Sequence, residues 1–477
     1  MEHVSDALIN TQKTKAYKRI ESLIETQVYG KARSTGRTVL GMDTNKMLDA
    51  LIKYTSWSML GFNAFTGINN IVVGKTQMFI ESGGSEYFTW QEWLEADATY
   101  VRNIGPVFKE LGTPVVSSKL GLIGQMFNVG LHWKESIKSK EFYKNGIENV
   151  LSSFNASFMM TAGEHHMQMS TALAMLKHIK VLENDKQISL YDALKTEEVT
   201  YNGKVIDGKI SIREGVTNLD GSEISKKQIR DIGLQIGKVN QKLHGIYNAE
   251  DSMEAKRTAA GRLATMYRNF IVPTVNKRFR GAFGTKVPYD YYFNDYFEGY
   301  YLTTFNFIKD SIKKQRYSYS VLRAAYDNLK PKERANIRRM AAEVFNIAMI
   351  NMALFALVAL GGDGEEPVDT WTARAAYYFL KRNQLEAMFY LTPWSTFETI
   401  LVSPTAVLSP IQNFGKLFYS TITAPLGGYG SEILESGNYK DHSKLYRDAM
   451  KAAPIYNSVY DFMHLHQDDK RFKIFEQ

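Results

Sequence analysis

Residues 344–360, VFNIAMINMALFALVAL, constrain the fold more than any other part of the chain. This apolar segment of seventeen residues has no charged side chain, and Asn346 and Asn351 are its only strongly polar ones. A helix rises about 1.5 Å per residue, so the segment would extend roughly 25 Å, just short of the ~30 Å hydrocarbon core of a bilayer. It is therefore either a helix buried within its own protein or a helix that meets a membrane.

The flanks of the segment favour burial over a permanent membrane anchor. Pro331 stands at the favoured first position of a helix, and Gly361-Gly362 marks a helix end. A returning span at 371–391 would carry four charged residues, which lipid disfavours. We expect a central buried helix, and the alternative is a pore-forming helix that is shielded until release. In that alternative the lipid-contacting residues would be Ile347, Ile350, Leu354, Phe355, Leu357 and Leu360.

Helix signals recur along most of the chain. Residues 89–92 and 225–228 have the capping-box pattern, and apolar residues follow each at helical spacing. An amphipathic run, 249–272, is expected to stop at Pro273. The glycine-rich stretch 61–86 indicates either a break between helices or a close helix–helix contact. Further helices are predicted at about 43–60, 135–182, 370–391, 396–402, 405–422 and 442–464.

One region has a β pattern. Asn202-Gly203 and Asp207-Gly208 supply the positive φ angles of tight turns between short β-branched runs. The sequence therefore predicts a mainly α, multi-helix fold, which could be an elongated assembly, with one small β-hairpin insertion near 199–212. Four regions follow from this pattern: 1–190 helical, 191–222 carrying the hairpin, 223–340 basic and helical, and 341–477 apolar and helical.

Positive charge is concentrated in one part of the chain. The whole chain has a net charge of +8, whereas residues 256–339 hold 18 Lys and Arg against 6 Asp and Glu. Such a block is either a set of solvated helix faces or a surface for phosphate backbones or anionic lipid. The residues expected to contact nucleic acid or an anionic surface are Lys256, Arg257, Arg262, Arg268, Lys277, Arg278 and Arg280.

The sequence contains several incomplete chemical motifs and no complete one. Gly74-Lys75-Thr76 ends like a phosphate-binding loop, but the required first glycine is replaced by Asn69. Residues 258–262, TAAGR, match a short polymerase motif without the paired metal-binding carboxylates that phosphoryl transfer needs. His165 and His178 lie too far apart on one helix to share a metal ion. The chain has no cysteine. We therefore expect that the chain is not an enzyme and that it has no cofactor-binding or metal site.

The segment from Val239 to Phe279 carries a family resemblance. It contains Asn240, His244, Gly245 and Tyr247 in the pattern N-x-x-x-H-G-x-Y, then an acidic turn, then GRL at 261–263. A basic and aromatic stretch with a proline follows and ends in Arg278-Phe279. This pattern, with LGFN at 60–63 and the segment 382–404, resembles very large virion-associated proteins of tailed phages, especially crAss-like phages. The resemblance implies an internal virion protein that is ejected with the DNA, and it carries no active-site residue.

Three hypotheses follow. The first is a segment of a phage internal virion protein, packaged in the capsid or tail lumen, ejected into the host envelope or cytoplasm, and membrane-active on release. Its partners would be portal, tail and cargo proteins, DNA and the host membrane. The second is a soluble structural subunit of a portal or tail complex, and the third is a nucleic-acid-binding accessory module. The N-terminal residues have no apolar region of a secretory signal, and we expect them to be a polar helix from within a longer polypeptide.

Overall fold

The computed structural model describes part of the 477-residue chain, and those parts belong to two compact units. Of the described residues, those at 38–43 and 408–453 belong to unit 1, and those at 64–245 and 271–384 belong to unit 2. The described residues are 38–39, 42–43, 64–110, 116–129, 158–202, 204–245, 271–282, 286–287, 289–290, 293, 295–360, 373, 376–381, 383–384, 408–436 and 439–453. These units join segments that are distant in sequence, whereas the four predicted regions are continuous. The four-region scheme stays a prediction.

Helices make up most of the described structure, which confirms the mainly α fold. The strands are short and pair only in small antiparallel sheets of two or three strands. The helices are α1 Ala64–Gly84, α2 Trp90–Glu110, α3 Lys119–Met126, α4 Phe158–His178, α5 Leu190–Ala193, α6 Lys226–His244, α7 Ile271–Phe279, α8 Tyr300–Lys313, α9 Tyr319–Asp327, α10 Pro331–Leu360, α11 Leu408–Thr423 and α12 Lys444–Ala452. The strands are β1 Thr38–Val39, β2 Met42–Asp43, β3 Lys180–Glu183, β4 Lys186–Ser189, β5 Leu194–Tyr201, β6 Lys204–Ile212, β7 Val216–Thr217, β8 Tyr289–Asp290 and β9 Asp295–Tyr296.

The apolar core of unit 2 lies among α1, α2, α4 and α6 and the sheet that follows α4. Met78, Phe88, Trp93, Leu173 and Ile236 are buried in it. Apolar residues at helical spacing place one face of each helix in this core, and burial of that face stabilises the unit. The core therefore fixes the position of α1, and another face of this helix, which carries Glu81, lies toward α10.

The glycines of α1 permit close helix contacts. A side chain at Gly74 would overlap the Met167 side chain of α4, and one at Gly83 would lie 2.6 Å from Cβ of Ala342 in α10. Because these two glycines have no side chain of their own, α1 packs tightly between α4 and α10. Of the two interpretations of residues 61–86, the close helix–helix contact is confirmed for the described residues.

Side-chain caps start two of the predicted helices. The backbone N–H of Thr89 donates to the Glu92 carboxylate at 2.9 Å, and the N–H of Glu92 donates to the Thr89 hydroxyl at 3.4 Å, so this capping box is complete. At α6 the N–H of Gln228 donates to Ser225 Oγ at 3.1 Å. The Gln228 amide instead pairs with Asn218, so only half of the second box forms.

The predicted hairpin is present and longer than expected. Strands β5 and β6 pair from Leu194 with Ile212 to Tyr201 with Lys204, and Asn202 in the turn has a φ of 49°. Asp207-Gly208, however, is not a turn. It lies within β6 next to a bulge, where a side chain at Gly208 would meet the carbonyl oxygen of Val116 at 2.5 Å. That glycine allows two backbones to approach, which a dipeptide pattern cannot distinguish from a turn.

A second small sheet lies where the sequence predicted helix. The predicted helix 135–182 ends at His178, and β3 then pairs with β4 and β7. Asn184 and Asp185 form the turn with φ of 49° and 61°. Two positive φ angles are typical of a type I′ hairpin, and Asn and Asp adopt them more readily than other residues with a side chain. The Asn-Asp signal was missed because no glycine accompanies it.

Other helix predictions have mixed outcomes. Pro273 lies inside α7 and does not stop a helix there. The predictions at 405–422 and 442–464 correspond to α11 and α12, as far as the structure describes them. The predictions at 43–60 and 396–402, most of 249–272 and 370–391, and the Gly361-Gly362 end lie outside the described residues.

In unit 1, α11 and α12 pack together, and the segment that follows α11 folds back closely against it. A side chain at Gly430 would overlap the carbonyl of Ser420, which is fully buried. The Arg447 guanidinium donates to the Tyr429 hydroxyl at 2.6 Å and pairs with Asp448 at 2.7 Å. These contacts hold the segment around Tyr429 against both helices.

Candidate functional site

The interior between α1, α6, α7, α8 and α10 contains charged groups where an apolar core would be expected. We call this set of residues the ionic cluster: Glu81, Glu86, Lys242, Arg278, Tyr300, Arg339 and Glu343. Arg278 and Arg339 are the two largest fully buried side chains of unit 2's described residues. Burying a charge is unfavourable unless a partner compensates it, so each of these cations requires a carboxylate.

Glu343 of α10 is the acceptor at one end of the ionic cluster. Its Oε1 accepts from Arg278 Nε of α7 at 3.0 Å and from the Nη2 of the same residue, and its Oε2 accepts from the Tyr300 hydroxyl of α8 at 2.7 Å. Burial alone would lower the pKa of Arg278, but Tyr300 and Glu343 raise it above its usual value. A single carboxylate therefore joins three helices.

Arg339 is the donor at the other end. Its Nε donates to Glu81 of α1 at 2.7 Å, its Nη1 donates to Asn336 at 2.8 Å, and its Nη2 pairs with Glu86. Lys242 of α6 lies 3.5 Å from the same Glu81 oxygen. Burial raises the pKa of Glu81, but Arg339, Lys242 and Lys277 outweigh it and hold that pKa below 4.5. Arg339 thus ties α10 to α1.

Lys277 occupies the space between the two ends. It is buried, and its ammonium donates to the side-chain oxygen of Gln77. Burial first and Arg278 second lower the pKa of Lys277 well below 10.5. A lysine of lowered pKa can serve as a base or nucleophile, but such a role needs access to a substrate. Since Lys277 is 2% exposed, the arrangement favours a structural role.

Beyond the ionic cluster, α10 leaves the interior with an apolar exposed face. We call residues 344–359 the apolar end of α10. Ile350 and Leu354 are buried on the same side of the helix as Glu343, whereas Phe345, Met352 and Phe355 are exposed on the opposite side, Phe355 at 76%. Because the segment is apolar all around, burying one face leaves an apolar face exposed. The expectation of a helix buried on all sides was wrong.

By length and composition α10 is a candidate membrane span, and among the described residues it is the one helix that qualifies. Only 17% of the most apolar 18-residue stretch of α10 is buried. A soluble core helix of this composition is mostly buried, so this low value is unusual. Exposed apolar patches of this kind mark contacts with a protein partner or a membrane.

The predicted lipid-contact residues fall on both faces of α10. Phe355 is exposed, Ile350 and Leu354 are buried, and Ile347 and Leu357 are half-buried. The side chain of Leu360 lies outside the described residues. Sequence reasoning missed the exposed Phe345, Met349 and Met352, although their spacing of three to four residues matches one helix face.

The predicted anion-contact residues are also divided. Lys277 and Arg278 face the interior, so they are not available to nucleic acid or lipid in this structure. The half-buried Arg280 lies over the Phe297 ring at 5.1 Å. The remaining predicted residues lie outside the described part of the chain: Lys256, Arg257, Arg262 and Arg268. The side chains of Lys277 and Arg278 are turned inward because Glu343 compensates the charge of Arg278 and Gln77 accepts a hydrogen bond from Lys277.

A second polar cluster joins α1, α2 and α4. Asp97 accepts from His166 at 2.7 Å and from Lys75 at 2.9 Å, and Tyr100 stacks on the His166 ring. Burial raises the pKa of Asp97, but hydrogen bonds from His166 and Lys75 lower it to about 2. Lys75, the lysine of the GKT tripeptide, therefore lies on a continuous helix and pairs internally, so no phosphate-binding loop forms there.

The histidines do not form a metal site within the described ranges, where no group of three suitable ligands occurs. His165 bonds to Tyr100 at 2.9 Å, and His178 bonds to Glu92 at 2.8 Å near the start of α2. These contacts join α4 to α2 and use the two histidines as hydrogen-bonding groups, His165 in the interior and His178 nearer the surface.

Comparisons with known proteins gave no match. No family model, no curated protein and no solved structure is similar to this chain.

Proposed function

We propose that this chain is an internal virion protein of a tailed phage. It is packaged in the capsid or tail lumen, it is ejected with the DNA, and the apolar end of α10 contacts the host membrane after release. The observation that carries this proposal is the composition of α10. Its first half is held by buried charges, whereas its second half exposes an apolar face. The resemblance of residues 239–279 to phage virion-associated proteins supports the virion role.

The interior chemistry is compatible with passage through a narrow tail. The chain has no cysteine, so no disulfide opposes complete unfolding. Buried ion pairs stabilise a fold less than well-packed apolar residues of similar volume, because unfolding returns hydration to the charges. The ionic cluster therefore adds less to the free energy of unfolding than apolar residues of the same volume often would. Such a chain unfolds and refolds with less work.

The shape of the exposed face supports membrane contact. Phe345, Met349, Met352 and Phe355 lie on one side of the apolar end, spanning about three turns of helix. Transfer of apolar surface from water to the acyl region of a bilayer is favourable by about 25 cal/mol per Å². Methionine adapts to irregular surroundings, which suits contact with lipid chains as well as with protein.

The exposed face also supports the alternative of a structural subunit in a portal or tail complex. There the apolar end of α10 would pack against another protein chain instead of lipid. A nucleic-acid-binding accessory module has less support, because Lys277 and Arg278 are buried.

Two experiments test this proposal. Mass spectrometry of purified virions is expected to detect peptides of this chain, and their absence would contradict the virion role. For the membrane role, Met352→Ser/Phe355→Ser is expected to weaken binding of the purified chain to liposomes. The matched control is Val101→Ser/Leu234→Ser, two exposed apolar residues on α2 and α6. Equal binding by both variants would contradict membrane contact by the apolar end of α10.

A further inference from the structure

Helix α8 packs inside unit 2 along one face, and from Phe305 onward it also has an exposed apolar face. Tyr300, Thr303 and Ser311 are buried, and Tyr300 reaches Glu343 of α10. Phe305, Ile308 and Ile312 are 61%, 50% and 58% exposed. With about 100° of rotation per residue, these three side chains fall within an arc of roughly 60° on the side away from the interior.

Positive charge lies beside this exposed stripe. Lys309 and Lys313 are exposed one residue after Ile308 and Ile312, so they flank the stripe along one edge. Lys314 and Arg316 follow at the end of the helix, and the one nearby carboxylate in residues 300–323, Asp310, pairs with Lys314 at 2.6 Å. An exposed apolar stripe with a basic edge is typical of helices that lie in a membrane interface.

The next segment continues the same composition. Tyr317 and Tyr319 are 71% and 79% exposed, and no residue of α9 is buried. Tyrosine is enriched at the level of lipid headgroups, where its ring and its hydroxyl find different surroundings. Arg323 of α9 adds another exposed cation, which pairs with Asp327 at 3.1 Å.

We infer that residues 305–319 form a docking surface for an anionic lipid bilayer. The stripe of Phe305, Ile308 and Ile312 enters the headgroup boundary, and Lys309 and Lys313 contact lipid phosphates. The basic edge favours an anionic occupant over a zwitterionic surface, and the apolar stripe beside it favours lipid over a phosphate backbone. This inference rests on the proposed function, since it adds a second surface toward the same membrane and specifies its lipid.

The test measures binding of the full chain to vesicles of phosphatidylcholine with and without anionic phosphatidylglycerol. Binding is expected to be stronger with the anionic lipid, and this gain is expected to fall as salt rises. Lys309→Gln/Lys313→Gln is expected to weaken it about thirtyfold, since each lysine near an anionic surface contributes about fivefold. Ile308→Ser/Ile312→Ser is expected to weaken it at least about tenfold through lost apolar transfer.

The control Lys186→Gln/Lys227→Gln removes the same charge from β4 and α6, where both lysines are exposed. It is expected to bind within about twofold of the native chain, because screening limits the effect of distant charges. An equal loss with this control would overturn the inference in favour of attraction by net charge alone. All four α8 positions are exposed, so circular dichroism is expected to show unchanged folding.

The outcomes separate this inference from the proposed function. If Met352→Ser/Phe355→Ser abolishes binding while both α8 variants bind normally, the α8 surface is refuted and membrane contact by α10 stands. If the α8 variants lose binding but the chain is absent from virions, the α8 surface stands and the virion role fails. If the lysine variant loses binding to DNA while the serine variant keeps it, the surface binds nucleic acid and the inference is refuted.

Discussion

Removing the charge of Glu343 is expected to loosen three helices at once. Glu343 and Arg278 are each only 1% exposed, and the same carboxylate also accepts from Tyr300. Glu343→Gln keeps the size of the side chain but leaves the Arg278 guanidinium buried without a counter-charge. The helices α7, α8 and α10 then lose the charged acceptor that joins them.

The magnitude follows from the burial of both partners. Breaking a buried ion pair by removing one partner destabilises a fold by about 3–5 kcal/mol. The glutamine oxygen still accepts one hydrogen bond, so we expect the lower value, about 3 kcal/mol. The variant Arg278→Met/Tyr300→Phe/Glu343→Leu removes all three polar groups together. Its free energy of unfolding is expected to lie within about 1 kcal/mol of that of the native chain, or to be higher.

Hydrogen exchange read by mass spectrometry measures this effect locally, which suits a chain of two units. Peptides from α7 and α10 are expected to exchange roughly a hundredfold faster in Glu343→Gln, the rate equivalent of about 3 kcal/mol. The control Glu95→Gln removes a carboxylate that is 66% exposed and pairs with Lys177, so exchange is expected to change little. A triple variant as unstable as Glu343→Gln would refute the reasoning.

Three further predictions concern the rest of unit 2. Gly208→Ala is expected to destabilise the fold by about 1–3 kcal/mol, because the added methyl group overlaps the Val116 backbone. The thermal unfolding midpoint is expected to fall, and an unchanged midpoint would disprove the close approach. Ser225→Ala is expected to cost about 1 kcal/mol because the N–H of Gln228 loses its acceptor, and urea titration measures it. The pKa of Asp97 is about 2 in the folded chain and 3.8 in the unfolded chain. The ionised carboxylate therefore contributes its full stabilisation of the fold above pH 3.8 and loses it as the pH falls through 2. After allowance for solvent screening, this stabilisation amounts to roughly 1 kcal/mol. The difference in free energy of unfolding between the native chain and Asp97→Asn is expected to shrink as the pH falls from 3.8 to 2. A difference that stays constant over this pH range would contradict the prediction.

Much of the fold could be predicted because its signals are local. The residues that start α2 and α10, the Asn202 turn and the helical spacing all act over a few residues, and the structure confirms each of them. The Asn184-Asp185 hairpin and the bulge before Gly208 were missed because similar dipeptides serve as turns, bulges or close contacts.

The candidate site depended on distant partners. Arg278 meets Glu343 across 65 positions of sequence and Arg339 meets Glu81 across 258, so no local pattern could show that these cations are internal. A basic block appears as surface in sequence, because charges are rarely buried without partners. For α10, apolar residues all around the helix gave no indication of which face is buried, and the structure shows that one face remains exposed.

Site-specific labelling tests the central claim most directly, because the native chain has no cysteine and each introduced one is unique. Single cysteines at Phe345, Met352 and Phe355 would carry an environment-sensitive fluorophore, with the exposed Ala341 of the same helix as the control. On addition of liposomes, we predict a blue shift and loss of quenching by aqueous iodide at the three positions and no change at Ala341. Unchanged spectra at all four positions, with binding confirmed by sedimentation, would contradict lipid contact by the apolar end of α10.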